Sequence, residues 1–165
     1  MKRLLLFLIP FFIMSCVSRP QIKLYNLNSG VNMYFFPAST WVGKNIKMDI
    51  DFNFKNDANI ETICNINISQ KRKLPSGLSS ISLNADSIDY PLYNIKILTV
   101  DSRSNTVRIT SALNYDDFLK IMKSKNIFLQ IIIDDVKYEC IPSGSFFMLQ
   151  SEFQNNYFTI ETILK

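Results

Sequence analysis

The stretch from Lys44 to Phe54 alternates strictly between polar and apolar side chains, and this pattern most limits what the chain can fold into. Its apolar members are Ile46, Met48, Ile50, Phe52 and Phe54. Side chains of an extended chain point to opposite faces in turn, so a period of two predicts a strand with one buried face. A second alternating stretch, residues 60–68, follows a short polar link, so we expect these two strands to form a hairpin.

Shorter segments of the same character continue to the end of the chain. The remaining predicted strands are residues 81–85, 88–92, 95–100, 106–113, 127–133 and 136–141, and a last strand carrying Phe158, Ile160, Thr162 and Leu164. Pro91 cannot donate a ladder hydrogen bond, which favours an edge position for its strand. Most links between these strands have the length of a hairpin turn.

Two short helices are predicted among the strands. Asn114 is a capping residue, and acidic Asp116 and Asp117 suit the positive first turn of a helix. The apolar stripe of this helix consists of Tyr115, Phe118, Leu119 and Met122. A second short helix starts near Ser145, with Phe146, Leu149 and Phe153 on one side.

These elements indicate a mainly β fold, of the β-rich α+β kind. Strands and crossover helices do not alternate often enough for a parallel doubly wound sheet. Two architectures stay open, an antiparallel sandwich or a strongly curved sheet closed by one or two short helices. A hydrophobic content of 47% against 19% charged residues supplies a real core and excludes a disordered chain.

The N-terminus has the pattern of an export signal. Lys2 and Arg3 precede an apolar run from Leu4 to Met14. Eleven helical residues at about 1.5 Å each reach only about half of a roughly 30 Å hydrocarbon core, so the run is too short to span a membrane.

The end of this segment, Ile13-Met14-Ser15-Cys16, resembles the lipobox of bacterial lipoprotein precursors. The resemblance covers the signal alone. It implies lipidation of the Cys16 thiol and cleavage before Cys16. An ordinary signal peptide with an incidental cysteine and an uncleaved anchor are the alternatives.

The signal and the strand pattern together divide the chain into three regions. Residues 1–15 would be the signal peptide. The polar stretch that follows is suited to a lipidated tether over residues 16–29, and the strand pattern predicts one β-rich domain over residues 30–165. The expected location is the bacterial cell envelope, anchored by lipid to a membrane, at the outer membrane or cell surface if the cell has one. Loss of Lys2 and Arg3 lowers the net charge from +4 to +2, which argues against nucleic-acid binding.

Cys64 and Cys140 are the cysteines that remain after lipidation. Each lies on the apolar side of its predicted strand, so both could point into one core. Export exposes them to an oxidising environment, which makes a disulfide plausible. The alternative is two separate buried thiols.

No catalytic residues, no metal-binding residues and no cofactor site are expected from the sequence. The absence of histidine removes Ser-His-Asp and Cys-His mechanisms and histidine metal ligands. Asp49 and Asp51 lie about 7 Å apart on one strand face, but their neighbours are those of a solvated surface. Asp134 and Asp135 are interpreted as turn residues rather than calcium ligands.

Two segments are candidates for a binding patch. The basic run Lys71, Arg72 and Lys73 could touch anionic head groups or an acidic partner, or could simply be a solvated loop. The aromatic residues Tyr34, Phe36 and Trp41 belong either to the core or to an exposed patch.

The resulting hypothesis is a non-catalytic envelope lipoprotein that binds another protein, in assembly or adhesion. A carrier of a lipid or another apolar ligand is the alternative, because the chain contains 13 Phe and six Met. An enzyme that uses carboxylates has the least support.

Overall fold

A computed structural model describes residues 20–27, 31–55, 61–71 and 74–163. The strands of this part are β1 (Lys23–Asn26), β2 (Asn32–Gly43), β3 (Ile46–Lys55), β4 (Glu61–Gln70), β5 (Leu78–Ala85), β6 (Ile88–Pro91), β7 (Tyr93–Asp101), β8 (Thr106–Asn114), β9 (Ile127–Ile133) and β10 (Val136–Pro142). Its helices are α1 (Tyr115–Lys123) and α2 (Gly144–Ile163).

All ten strands belong to one antiparallel sheet that curls into a half-barrel, so the mainly β fold class is confirmed. The strand order is β6-β5-β9-β10-β2-β3-β4-β8-β7, and β1 also pairs with β2. Strands β1 and β10 share one edge of β2, β1 opposite residues 32–35 and β10 opposite residues 41–43. Of the two predicted architectures, the strongly curved sheet is the observed one.

The alternating sequence pattern determines which face of the sheet is buried. In β3, Ile46, Met48, Ile50, Phe52 and Phe54 are buried, and the residues between them are partly or fully exposed. The predicted hairpin is confirmed by the antiparallel register of β3 and β4, which runs from the Ile46–Gln70 pair to the Asn53–Ile63 pair. We call the face with these buried residues the inner face and the opposite one the outer face.

Helix α1 forms as its sequence predicts. The Asn114 side-chain oxygen accepts hydrogen bonds from the backbone N–H groups of Asp116 and Asp117, at 2.9 and 3.4 Å. Phe118 and Met122 of the apolar stripe are buried. The helix therefore packs against the inner face, where the Phe118 ring contacts those of Phe36, Phe52 and Phe54.

Five phenylalanines fill the space between the inner face and the two helices. This aromatic cluster consists of Phe36, Phe52, Phe54, Phe118 and Phe153. Phe118 of α1 lies 5.4 Å from the Phe36 ring centroid and 5.8 Å from that of Phe153 in α2. Tilted and edge-on contacts at this separation are the favoured geometries of aromatic pairs. The half-barrel is therefore packed solid in this region.

The predicted last strand is wrong, because α2 continues through Phe158, Ile160 and Thr162 to Ile163. Leu164 lies outside the described residues. No proline or glycine interrupts the sequence after Gly144. A helix whose first half is held by buried Phe146, Leu149 and Phe153 therefore has no local signal to stop.

The domain also begins earlier than predicted. Residues 23–26 were expected to belong to the tether, but they form β1 and pair with β2. Just before β1, Ile22 is only 8% exposed, and its backbone N–H donates to both carboxylate oxygens of Glu152 in α2, at 3.2 and 3.3 Å. The predicted boundary at residue 30 is therefore too late.

Candidate functional site

The predicted lipidation site Cys16 lies outside the described residues, as do Arg72 and Lys73 of the basic run. Lys71 is exposed, directly after β4, and its backbone N–H donates to the carbonyl of Asn45 at 3.3 Å. It lines a shallow groove of about 390 Å³ beside the turn between β2 and β3. The basic run therefore begins at the end of the sheet that carries this turn.

The aromatic residues of β2 are mostly core. Phe36 and Trp41 are 2% and 0% exposed. The Trp41 ring centroid is 4.9 Å from that of Phe146 in α2. Tyr34 is partly buried and stacks on a phenylalanine of β3 at 4.9 Å. The prediction that Phe36 and Trp41 could form an exposed patch is wrong, because α2 covers them.

A β-bulge in β2 brings both residues to the same face. Phe36 pairs with Phe52 and Trp41 pairs with Met48, but the register shifts between Phe36 and Ser39. The extra residue reverses the parity of the strand. Phe36 and Trp41 therefore both point into the core, although one has an even and the other an odd residue number.

The predicted disulfide does not form in this fold. Cys64 and Cys140 are free thiols, and both are fully buried. Cys140 lies in the same row of the sheet as Gly43, Ile46 and Gln70. Gln70 is the sixth residue after Cys64 in β4, which places it about 20 Å along the strand at roughly 3.3 Å per residue. Because a disulfide needs Cα atoms within about 7 Å, the alternative of two separate thiols is the observed one.

Burial makes both thiols unreactive. Burial raises the pKa of Cys140 to about 12. For Cys64, burial and then the negative charge of Asp51 raise the pKa further still. A thiol must lose its proton to act as a nucleophile or to bind a metal, so neither cysteine is suited to chemistry near neutral pH.

The two aspartates of β3 are engaged by neighbours on the outer face. Asp49 accepts a hydrogen bond from the Thr40 hydroxyl at 2.6 Å and pairs with Lys47 at 3.1 Å. Asp51 accepts one from the Asn65 amide at 2.7 Å. These contacts give both carboxylates a structural role as cross-strand partners.

The acidic turn between β9 and β10 is similarly occupied. The Asp134 carboxylate accepts a hydrogen bond from the Ser76 hydroxyl at 3.3 Å, and both Asp134 and Asp135 have positive φ angles. Asp tolerates this left-handed backbone better than most residues, which explains its presence in a tight hairpin turn. Within the described ranges, no three Cys, Asp or Glu side chains are grouped as metal ligands would be.

Strand β7 forms one end of the sheet and exposes apolar side chains along its length. Ile97, Leu98 and Val100 are 62%, 50% and 53% exposed. Ile97 pairs with Ile109 and Val100 with Val107, so both point to the inner face, beside buried partners. Among the described residues, the fully buried core ends at β8 and Ile95 of β7 packs against it, so the rest of β7 forms an exposed apolar margin.

This edge differs from the edge at the other end of the sheet. Strand β6 has four residues and ends at Pro91, both of which discourage a further strand from pairing. Strand β7 has nine residues and no proline. Its register shifts between Tyr93 and Lys96 and again between Ile97 and Thr99, and bulges of this kind limit indiscriminate pairing. A long apolar strand that has a neighbour on one side only, as β7 has among the described strands, is typical of a strand-docking site.

The exposure of this edge cannot be recognised from the sequence alone. Its apolar residues predict half of an ordinary hairpin, which they form with β8. The alternation in β7 shows which residues share a face but does not show that the helices stop short of that face. The signal that was available is the run Ile97-Leu98-Thr99-Val100, which is apolar on both faces apart from Thr99.

A second exposed apolar surface lies on the outward side of α2. Phe147 and Met148 are 40% and 42% exposed. Met148 lines a groove of about 340 Å³ together with Pro20 and Gln21, where the described chain begins. Pro20, Gln21 and the outward side of α2 therefore belong to one surface.

Neither helix within residues 20–27, 31–55, 61–71 and 74–163 combines the length and the apolar character that crossing a membrane requires. Comparison of the chain with protein-family models, curated proteins and solved structures gives no match.

Proposed function

We propose that this chain is a lipid-anchored, non-catalytic protein of the bacterial cell envelope that binds another protein through the free edge of β7. The observation that carries the proposal is the exposure of Ile97, Leu98 and Val100 on a strand whose outer edge pairs with no other described strand. The partner would add an extended strand to the sheet.

The physical basis of this docking mode has two parts. The outward N–H and C=O groups of an edge strand form main-chain hydrogen bonds with the added strand, and these supply affinity. Apolar side chains on the partner strand would cover Ile97 and Val100 on the inner face. Burial of such side chains contributes about 25 cal/mol per Å² removed from water. The bulges in β7 restrict the register in which a partner can pair, which favours a specific partner.

The anchor rests on the lipobox resemblance at Cys16. Acyl chains stabilise membrane attachment by about 0.8 kcal/mol per buried CH2 group, so more than one chain would hold the domain for long periods. An anchored domain with a docking edge suits a role in assembly or adhesion, in which the partner is brought to the membrane surface.

The other two functions have less support. A carrier needs an interior that is empty or easily emptied, and here the aromatic cluster fills the space between the inner face and the helices. An enzyme that uses carboxylates would need them available to a substrate, and Asp49 and Asp51 bond to neighbouring side chains.

The test of the docking edge is site-specific photocrosslinking in cells. A photoreactive phenylalanine at Ile97 is expected to give one or a few defined products, which mass spectrometry can identify. The matched control is Ile88 on β6, which is 57% exposed at the opposite edge. We expect the products at residue 97 to exceed those at residue 88 at least tenfold.

Charge substitution at the same positions separates docking from chance proximity. Ile97→Lys should reduce copurification of the crosslinked partner at least tenfold, because a lysine would have to be desolvated in the paired sheet, while Ile88→Lys should leave it unchanged. Absence of any specific product from residue 97, or equal products from both edges, would contradict the proposal.

The anchor has its own test. Cys16→Ala should abolish incorporation of a labelled fatty acid and move the protein from the membrane fraction to the soluble fraction. Unchanged labelling and fractionation would show that Cys16 is not the anchor, without bearing on the β7 edge.

A further inference from the structure

We infer that the outward side of α2 lies directly against the membrane surface, with Phe147 and Met148 at the level of the lipid head groups. This inference rests on the proposed lipidation of Cys16. It assigns the α2 surface to the membrane and leaves the β7 edge free for the protein partner.

The folded part of the chain begins very close to the proposed anchor. Ile22 is buried in the core, and its backbone N–H is held by the carboxylate of Glu152. Strand β1 follows at once. The chain between Cys16 and this fixed point is therefore much shorter than the predicted tether of residues 16–29.

The short connection limits how far Ile22 can lie from the membrane. Ile22 is the sixth residue after Cys16, and a fully extended chain covers at most about 3.6 Å per residue, or roughly 22 Å. The head-group layer takes up about 5–7 Å of this, because the acyl chains place Cys16 near the hydrocarbon boundary. Ile22 therefore lies no more than about 15–17 Å above the head groups.

The domain is much wider than this reach. A compact domain of this length has a radius of gyration of about 15 Å and is roughly 40 Å across. Because the connection is less than half as long as the domain is wide, the domain cannot turn its far side to the membrane. The side on which the chain enters must face the lipid.

The side on which the chain enters is the outward face of α2. Pro20 and Gln21 line one groove together with Met148, Ser151 and Glu152. Residues 144–151 of α2 contain no charged side chain. Glu152, which follows, is charged, but its carboxylate accepts hydrogen bonds from the Ile22 backbone N–H. Exposed aromatic and apolar residues on such a helix face are suited to the boundary between head groups and hydrocarbon. The outer face of the sheet, which carries Lys47, Asp49 and Arg108, then points away from the membrane.

The experiment measures the distance of two labelled positions from lipid. The full-length lipidated protein is reconstituted into vesicles of phosphatidylethanolamine and phosphatidylglycerol that contain a lipid-attached quencher. An environment-sensitive fluorophore is placed at Met148→Cys or, as the control on the opposite face, at Arg108→Cys. Cys64 and Cys140 are 0% exposed, so the label reacts with the introduced cysteine, and the unsubstituted protein checks this.

We expect the emission at residue 148 to shift to shorter wavelength and to be quenched at least three times as strongly as that at residue 108. Phe147→Cys provides a second position on the same surface and should behave like residue 148. The emission of Trp41, which packs on Phe146 of the same helix, verifies that α2 remains docked in each variant.

Three results would overturn the inference. Equal or stronger quenching at residue 108 on protein that is bound to the vesicles would show a different orientation. A blue shift at residue 148 without lipid quenching would mean that a protein covers this surface. Failure of the full-length chain to acquire lipid or to bind vesicles would remove the anchor itself, which refutes the proposed anchoring and this inference together.

Discussion

Replacement of Phe118 tests whether the interior of the half-barrel is as solidly packed as the ring contacts indicate. Phe118 is 1% exposed, and its ring centroid lies 5.4 to 5.8 Å from those of Phe36, Phe52, Phe54 and Phe153. Phe118→Ala removes these contacts and leaves a cavity. Such changes cost about 3–5 kcal/mol, and with four aromatic partners we expect a loss of about 4 kcal/mol.

The single tryptophan provides the assay. Trp41 is fully buried, so its emission reports unfolding in urea. With a slope of about 2 kcal/mol per M, a loss of 4 kcal/mol lowers the urea midpoint by about 2 M. Phe118→Leu keeps most of the volume and should lower it by about 0.5 M. Phe147→Ala, at a 40% exposed position, should change it by less than about 0.25 M.

A Phe118→Ala protein whose free energy of unfolding falls by less than about 1 kcal/mol would refute the solid packing of this interior. A small loss would mean that the space around the ring closes easily or is already open. That result would strengthen the carrier function, particularly if an added fatty acid raised the midpoint of the variant. An unfolded Phe118→Ala protein would leave Phe118→Leu to supply the measurement.

Three further changes test individual hydrogen bonds. Ser39→Ala removes the acceptor of the Trp41 indole N–H, 3.1 Å away, and should cost about 1–3 kcal/mol in urea unfolding; a loss below about 0.5 kcal/mol would contradict this. The buried Thr62 hydroxyl has no hydrogen-bond partner among the described residues, so Thr62→Val should leave the thermal midpoint unchanged or higher, and a clear decrease would be evidence against that assignment. Hydrogen bonds from backbone N–H groups, above all that of Asn126, lower the pKa of Asp86. The ionised carboxylate therefore stabilises the fold at pH values above its ordinary pKa, which is near 4. This stabilisation is lost as the pH falls through the lowered pKa of the folded protein. Asp86→Asn should therefore lower the urea midpoint at pH 7, and in strong acid the variant and the unsubstituted protein should have nearly the same midpoint. An equal difference in midpoint at both pH values would refute the lowered pKa of Asp86.

The parts of the fold that depend on local pattern could be predicted from the sequence. The alternation in β3 and β4 specifies both the strands and their buried face, because a register slip would expose Ile50 and Phe52. The cap at Asn114 and the stripe with Phe118 specify α1 in the same way. In each case the residues that define the element also define its contacts.

The parts that could not be predicted depend on what lies next to an element. The residues Phe158, Ile160 and Thr162 alternate as a strand would, but they continue a helix already held by packing upstream. The burial of Trp41 depends on a bulge and on the position of α2. The exposure of Ile97 depends on where the helices end, which alternation within β7 does not encode.

The shared edge of β2 has a consequence for the order in which the chain assembles. Strands β2, β3 and β4 are consecutive, so they can pair as soon as they are synthesised. The segment of β2 from Trp41 to Gly43, however, pairs with Cys140–Pro142 near the other end of the chain. A chain that emerges N-terminus first therefore keeps this backbone open while nearly all of the remaining strands appear, and open edges of this kind recruit wrong partners. The time between synthesis of β2 and arrival of β10 is thus the interval in which a chaperone would matter most.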